Sequence, residues 1–256
     1  MSEVFSGVGV ALVTVFDARG EVDLAATSGL ASDLVARGLN AVIVSGTTGE
    51  AGTLTPGERV ALVEGVRAAL PPGVPVIAGT GAPAPQAAAE LTKDAVSAGA
   101  SAVLAWPPPG STEHARYYEI VAEAAGGCPV LAYHIPPVSS PGIPVPALAT
   151  LPVAGVKDSS GSADRLLDEL AHYRGATYVG SSALLALAGP MGAAGAILSL
   201  ANIEPERCCR AFAGDVAAQL ELADRHLELR RGGPAALKRL LAADRGTSPV
   251  ARVSSS

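Results

Sequence analysis

Eight short runs of Val, Ile, Leu and Ala recur along this 256-residue chain. Most are closed by Gly, Ser, Thr or Pro, and most are followed by a longer Ala- and Leu-rich stretch. The runs are Val8–Phe16, Ala41–Ser45, Val74–Gly79, Ala102–Trp106, Pro129–Ile135, Val153–Lys157, Thr177–Gly180 and Gly195–Leu200. They are nearly continuous in hydrophobicity and mostly lack apolar–polar alternation. A strand that alternates has one wet face, whereas a strand apolar throughout is covered on both, as in a parallel sheet under helices. The intervening stretches carry helix punctuation. Asp23–Arg37 opens on an acidic cap and stops at Gly38, and Thr55-Pro56-Gly57-Glu58 sets Pro at the first helical position with Glu three after the cap. Pro85–Ala98 stops at Gly99, Ser111–Ala125 at Gly126-Gly127, and Ser162–Tyr173 near Gly175. Pro146–Leu151 has room for one or two turns only. Eight strand–helix units predict an α/β fold, the (β/α)8 barrel. The competitor, a doubly wound open sheet, lacks its Gly-x-Gly-x-x-Gly after the first strand; Gly79-Thr80-Gly81 follows the third and misses the last glycine.

The barrel core is expected over residues 1–203, through the eighth strand. The last barrel helix and a short C-terminal helical extension follow over 204–245, and Gly246–Ser256 reads as a disordered tail. No linker divides the chain. A net charge of -6 and a pI of about 5.2 argue against a nucleic-acid footprint, which needs a basic face. They leave room for a locally positive pocket that takes an acidic metabolite. Cys208 and Cys209 are adjacent and Cys128 stands alone, which is neither a disulfide framework nor a metal-type spacing. The start, Met1-Ser2-Glu3-Val4-Phe5, has no basic region before an apolar core. The richest apolar stretch, Ala183 to Ala201, is interrupted by Gly189-Pro190, Gly192 and Gly195. A cytoplasmic protein without a membrane segment is the expectation.

In such a barrel the chemistry sits where the strands end. Those positions hold Gly46-Thr47-Thr48-Gly49-Glu50, Gly79-Thr80-Gly81, Tyr133-His134, Lys157-Asp158-Ser159-Ser160 and Gly180-Ser181-Ser182. They supply hydroxyls, backbone amides, one phenol and one amine. A lysine amine attacks carbonyls when burial disfavours its charged form, and Lys157 closes a short apolar run. Imine chemistry also needs a group that carries protons, and Tyr133, on the neighbouring strand, is the candidate. The glycines around Thr47 and Thr48 let backbone amides approach a carboxylate. Each feature also has a plainer reading: a solvated strand-end lysine, a packed tyrosine, a tight turn. Glu50 is expected to accept backbone hydrogen bonds. His134 should face away from Tyr133 by strand alternation and serve structure. The four histidines are scattered, so no metal set is expected.

Together with Tyr133-His134-Ile135-Pro136, Gly155-Val156-Lys157-Asp158-Ser159 and the Gly195 to Asn202 run, these segments resemble the dihydrodipicolinate synthase / N-acetylneuraminate lyase family of class I, pyruvate-handling aldolases. The similarity runs from about Gly7 to Asn202. The resemblance implies a barrel in which Lys157 forms an imine with pyruvate or another 2-oxo acid, Tyr133 relays protons, and Thr47 with Thr48 holds the carboxylate and links to the tyrosine. On this basis Lys157, Tyr133 and Thr48 are the expected catalytic residues, and Gly46, Thr47, Thr48, Gly79, Ser181 and Ile197 the expected substrate-binding residues. No metal or organic cofactor is implied; the partners are pyruvate, an aldehyde, and other copies of the chain in a homodimer or homotetramer. Two positions depart from the pattern of the synthases. Val138 stands where they carry an arginine, and Trp106-Pro107-Pro108-Pro109-Gly110 replaces a Pro-Tyr-Tyr run. The expectation is therefore an aldolase for a 4-hydroxy-2-oxo acid such as 4-hydroxy-2-oxoglutarate, or for a 2-keto-3-deoxy sugar acid. Dihydrodipicolinate (4-hydroxy-tetrahydrodipicolinate) synthase and a non-catalytic barrel that binds a 2-oxo acid are the alternatives.

Overall fold

The computed structural model describes residues 3–253. Eight parallel strands close into one barrel in sequence order: β1 (Gly7–Ala11), β2 (Ala41–Val44), β3 (Val76–Gly79), β4 (Ala102–Ala105), β5 (Val130–His134), β6 (Gly155–Asp158), β7 (Ala176–Val179) and β8 (Gly195–Leu198). The (β/α)8 architecture read from the strand–helix alternation is thus the observed one. Between the strands run α1 (Leu24–Ala36), α2 (Pro56–Ala69), α3 (Pro85–Ser97), α4 (His114–Ala125), α5 (Val145–Leu148), α6 (Ala163–His172) and α7 (Leu185–Ala188). After β8 come α8 (Pro205–Phe212), α9 (Val216–Glu221) and α10 (Ala223–Arg245).

Two layers of apolar side chains follow from the strand pattern. Outward residues such as Val10, Val42, Val103 and Val156 pack beneath the helices. Inward residues including Ile43, Ile77, Leu104, Leu131, Tyr178 and Ile197 fill the barrel. Phe5 stacks on Tyr178 with ring centroids 4.7 Å apart and helps close the barrel interior at the N-terminal ends of the strands. The first apolar run outlasts its strand. β1 stops at Ala11, and Leu12–Phe16 stay buried while crossing the barrel mouth, where Asn202 Oδ1 accepts from Val13 N at 3.2 Å.

The helix signals work locally as read. Asp23 accepts from Ala26 N at 2.9 Å, and Thr55 with Glu58 forms a complete capping box. The expected disordered tail is corrected for residues 246–253, which return to the barrel. Val250 O accepts from Lys238 Nζ at 2.9 Å, and the amides of Arg252 and Val253 each donate to Glu50 Oε2 at 2.8 Å. The Arg252 guanidinium pairs with Glu58 and lies over the Phe16 ring, 4.4 Å from its centroid. The physical reason is Glu50, a carboxylate 2% exposed that needs donors. Residues 254–256 lie outside the described residues. No helix among the described residues is long and apolar enough to cross a membrane.

Candidate active site

Lys157 sits on β6 directly opposite Tyr133 of β5 in the parallel register. Both are inward-facing and 5% exposed. The Lys157 ammonium lies 4.3 Å from the centroid of the Tyr133 ring and has no carboxylate partner among the described residues. A buried amine held by an aromatic face, with no counter-ion to remove, is free to meet an incoming carbonyl. Ser159, just past the strand, reaches the Tyr133 hydroxyl at 3.4 Å. The link expected between Tyr133 and the Thr47–Thr48 pair is not made; Ser159 takes that place. Gly180 makes room for it, because a Cβ there would come within 2.0 Å of Ser159 Oγ.

The Gly46–Glu50 loop crosses the mouth from the β2 end. Ser45 (φ 53), just before it, and Glu50 (φ 58), at its end, are the two non-glycine residues with left-handed backbone among the described residues. Such conformations persist only where surroundings impose them. Here the imposition is visible: Thr14 Oγ1 donates to Gly49 O at 2.8 Å, and buried Glu50 is held by Lys238 and the returning chain. The amides of Thr47, Thr48 and Gly49 donate to no protein acceptor among the described residues, so they remain open to an anion. Glu50 plays the structural part expected of it.

Thr47, Thr48, Tyr133, Lys157 and Ile197 line one cavity of about 230 Å3, together with Ser199 and, from α10, Leu229, Pro234 and Leu237. Gly46 and Gly79 line an adjoining cavity of about 330 Å3 that shares Thr47 and Tyr133 and is walled by Trp106, Val138 and Val253. Gly79 is also needed for packing, since a Cβ there would stand 2.1 Å from Ser45 O. Ser181 lines a third cavity, on the β6–β8 side. Among the described residues no three His, Cys, Asp or Glu side chains group to hold a metal.

A charged layer lies behind β5 and β6. His134 faces out, as alternation requires, and its Nδ1 accepts from Ile143 N at 2.9 Å. Burial, then the charges of Arg165 and His114, lower its pKa to about 4, so the ring is neutral at neutral pH. Burial pushes the Asp158 carboxyl up, against hydrogen bonds from Ser160 N and Oγ that hold it down. Arg165 spans Asp158 at 3.7 Å and Glu169 at 2.9 Å. These contacts fix the loop that carries Ser159.

Sequence reasoning placed Ser159 among the strand-end hydroxyls without a role, and missed Ser199 and the α10 residues as parts of the site. Ser159 and Ser199 are visible in retrospect as hydroxyls just beyond β6 and β8. The α10 contribution depends on a kink at Gly233 (φ 53) before Pro234, for which Gly232-Gly233-Pro234 was the signal.

Comparison with known proteins fits this geometry. The profile of the Dihydrodipicolinate synthetase family matches residues 4–232. A 4-hydroxy-tetrahydrodipicolinate synthase of Salinibacter ruber is 35% identical over 237 residues, covering 88% of this chain and 78% of its own. An uncharacterized DapA-like lyase of Halobacterium salinarum is 36% identical over 209 residues, covering 78% of this chain and 68% of its own. Among solved structures, the chloride-inhibited dihydrodipicolinate synthase of Acinetobacter baumannii, complexed with pyruvate, superposes with a TM-score of 0.86 at 28% identity. That match covers 97% of this chain and 94% of the other.

Proposed function

The chain belongs to the dihydrodipicolinate synthetase family, and from that premise we propose that Lys157 is the amine through which it works. The protein is a class I, pyruvate-dependent lyase that forms a lysine imine. In the proposed assignment, Lys157 Nζ adds to C2 of the 2-oxo acid (pyruvate in condensation, the longer 4-hydroxy-2-oxo acid in cleavage), and loss of water from the carbinolamine leaves an iminium. Tyr133, in contact with Ser159, delivers the proton that leaves with that water. The open amides and hydroxyls of Thr47 and Thr48 hold the pyruvate carboxylate. In the cleavage direction the C3–C4 bond electrons pass into the iminium to give an enamine. The C4 hydroxyl gives its proton to Tyr133 as the aldehyde leaves; condensation is the reverse.

The observation that carries this reading is the pairing of Lys157 with Tyr133, both buried, across β5 and β6. Its test is borohydride reduction in the presence of pyruvate, followed by mapping of the adduct. The expected result is one reduced pyruvyl adduct on Lys157. An adduct that persists in Lys157→Ala, or none in the wild type, would falsify it.

The second substrate is the finer question. Names of the curated relatives support condensation of the 4-hydroxy-tetrahydrodipicolinate synthase kind ahead of cleavage of 4-hydroxy-2-oxoglutarate or a 2-keto-3-deoxy sugar acid. One feature favours the cleavage reading: Val138, not a cation, walls the cavity beside Tyr133. Assaying pyruvate with aspartate semialdehyde alongside pyruvate release from those 2-oxo acids separates the two. A homodimer or homotetramer in the cytoplasm belongs to the same proposal. The exposed Val216 and Leu220 of α9 are apolar surface that a second copy could cover. Light scattering of the purified protein tests the assembly.

A further inference from the structure

On the side of β6 away from Lys157 lies a buried cluster of charge. Glu169 of α6 is 0% exposed and Asp158 of β6 is 2% exposed. The Arg165 guanidinium is the cation between them, 2.9 Å from Glu169 Oε1 and 3.7 Å from Asp158 Oδ1. Neither oxygen of Glu169 accepts a hydrogen bond among the described residues. Asp158, by contrast, is held twice, by Ser160 N at 2.8 Å and Ser160 Oγ at 2.9 Å. We propose that Glu169 is a positioning residue for the imine chemistry: it holds a proton in the working enzyme, and loss of that proton draws Arg165 off Asp158 and unseats the loop that sets Ser159 against Tyr133. The proposal rests on the assignment of Lys157 as the imine-forming amine.

Charge balance gives the direction. Two carboxylates and one guanidinium, nearly out of water, are neutral together only if one carboxyl keeps its proton. The hydrogen bonds decide which one: Asp158 has donors that favour its ionised form, and Glu169 has none. Burial, then the charge of Asp158, push the Glu169 carboxyl up to about 8 against the pull of Arg165. The other groups around Glu169 do not take over this part. Asp168, beside it on α6, is exposed and pairs with His172. The Tyr173 hydroxyl at the end of α6 is pushed up by burial to about 12. α5, which packs on α6, carries no titratable side chain, and Tyr178 of β7 faces the barrel interior. His134 of β5 has Nε2 3.9 Å from Asp158 Oδ1, and His114 of α4 lies beyond it. Burial holds both rings below the ordinary imidazole range, so neither adds positive charge at neutral pH. Once Glu169 ionises, one cation faces two buried carboxylates, and Arg165 is nearer to Glu169. Asp158 must then recover solvation, and its movement carries the adjacent Ser159, whose Oγ is 3.4 Å from the Tyr133 hydroxyl.

The test follows exchange of the pyruvate methyl protons in D2O. Pyruvate held as the Lys157 iminium gives up a C3 proton to form the enamine and takes a solvent deuteron back, so exchange reports the imine cycle without a second substrate. After subtraction of the enzyme-free rate, wild-type exchange should fall about tenfold between pH 7 and pH 9, the loss in protonated fraction of a carboxyl half-titrated near 8. Glu169→Gln has the shape of the protonated acid and cannot ionise, so its rate at pH 9 should stay within about twofold of its rate at pH 7. A glutamate that only supports the fold would leave the alkaline limb in place. A limb equal in both proteins, or a flat wild-type profile, overturns the proposal. If Glu169→Gln does not fold, infrared spectra of the wild type decide. A buried carboxylic-acid carbonyl band present at pH 7 should vanish in step with the exchange rate; its absence at pH 7, or its persistence through pH 9, overturns the proposal. A pyruvate adduct on Lys157 without a Glu169-dependent limb defeats this role alone; absence of any adduct defeats the parent reading and this one with it.

Discussion

A lysine at a strand end is ordinary; Lys157 is set apart by what surrounds it. Its strand alternation, its neighbour Tyr133 and the outward turn of His134 were all legible, because a period of two along a strand decides which side chains share a face. The hydroxyl contact of Tyr133 was not, because it depends on Gly180 of another strand leaving space for Ser159. Gly180→Ala should push Ser159 away from Tyr133 and slow imine formation about 100-fold, the low end of what a proton-transfer group contributes. Single-turnover borohydride trapping reads that rate, and Ser159→Ala should reproduce it; an unchanged rate in both removes Ser159 from the relay. His134 makes a separate prediction in pH. Its folded pKa of about 4 lies below the ordinary 6.5, so the unfolded chain binds the proton first as pH falls. The stability due to neutral His134 is complete above about pH 6.5 and is lost as pH falls toward 4. Denaturant midpoints measured at pH 7 and pH 4.5 should converge for His134→Gln relative to wild type; a slope unchanged by the substitution would mean that other groups carry it.

The eight strands were recognisable because residues buried on both faces leave no polar partner in the run. Their far limits were not, since Leu12–Phe16 remain buried after leaving the sheet and so look the same in sequence. Helix starts were plain wherever a cap and its partner lie within four residues, as at Thr55 and Glu58. Thr55→Ala should cost about 1 kcal/mol in equilibrium unfolding, the usual size of a lost cap. The site-facing half of α10 was illegible because its placement comes from the Gly233 kink rather than from helical periodicity. Gly233→Ala, which forces a side chain into a positive-φ, extended-ψ backbone (φ 53, ψ -151) that is essentially glycine's alone, should destabilise the fold by about 1–3 kcal/mol. It should also raise the KM of the 2-oxo acid by displacing Leu229, Pro234 and Leu237 from the cavity. A KM equal to that of wild type would show that α10 does not shape the site.

At the scale of the molecule, the returning segment 246–253 ties the end of the barrel to its second loop. Its Gly, Thr, Ser and Pro suggest disorder because its partners are distant: Glu50 lies 202 residues from Arg252. Arg252, with Thr55 hydrogen bonds in support, holds the Glu58 carboxyl down at about 2, below its ordinary 4.5. This contribution to stability is present above about pH 4.5 and is lost as pH falls toward 2, so acid should detach the segment. Arg252→Ala should loosen the Glu50 anchor, raise the pyruvate KM several-fold and leave the chemical step in single turnover little changed. Equal KM values in variant and wild type would confine Arg252 to stability. There is also a consequence in time. A ribosome adding roughly 5–20 residues per second reaches Arg252 some 10–40 s after Glu50. Through that interval the emerging chain gains its lysine and tyrosine but lacks the clasp on its anion-holding loop, so competence waits on the arrival of Arg252.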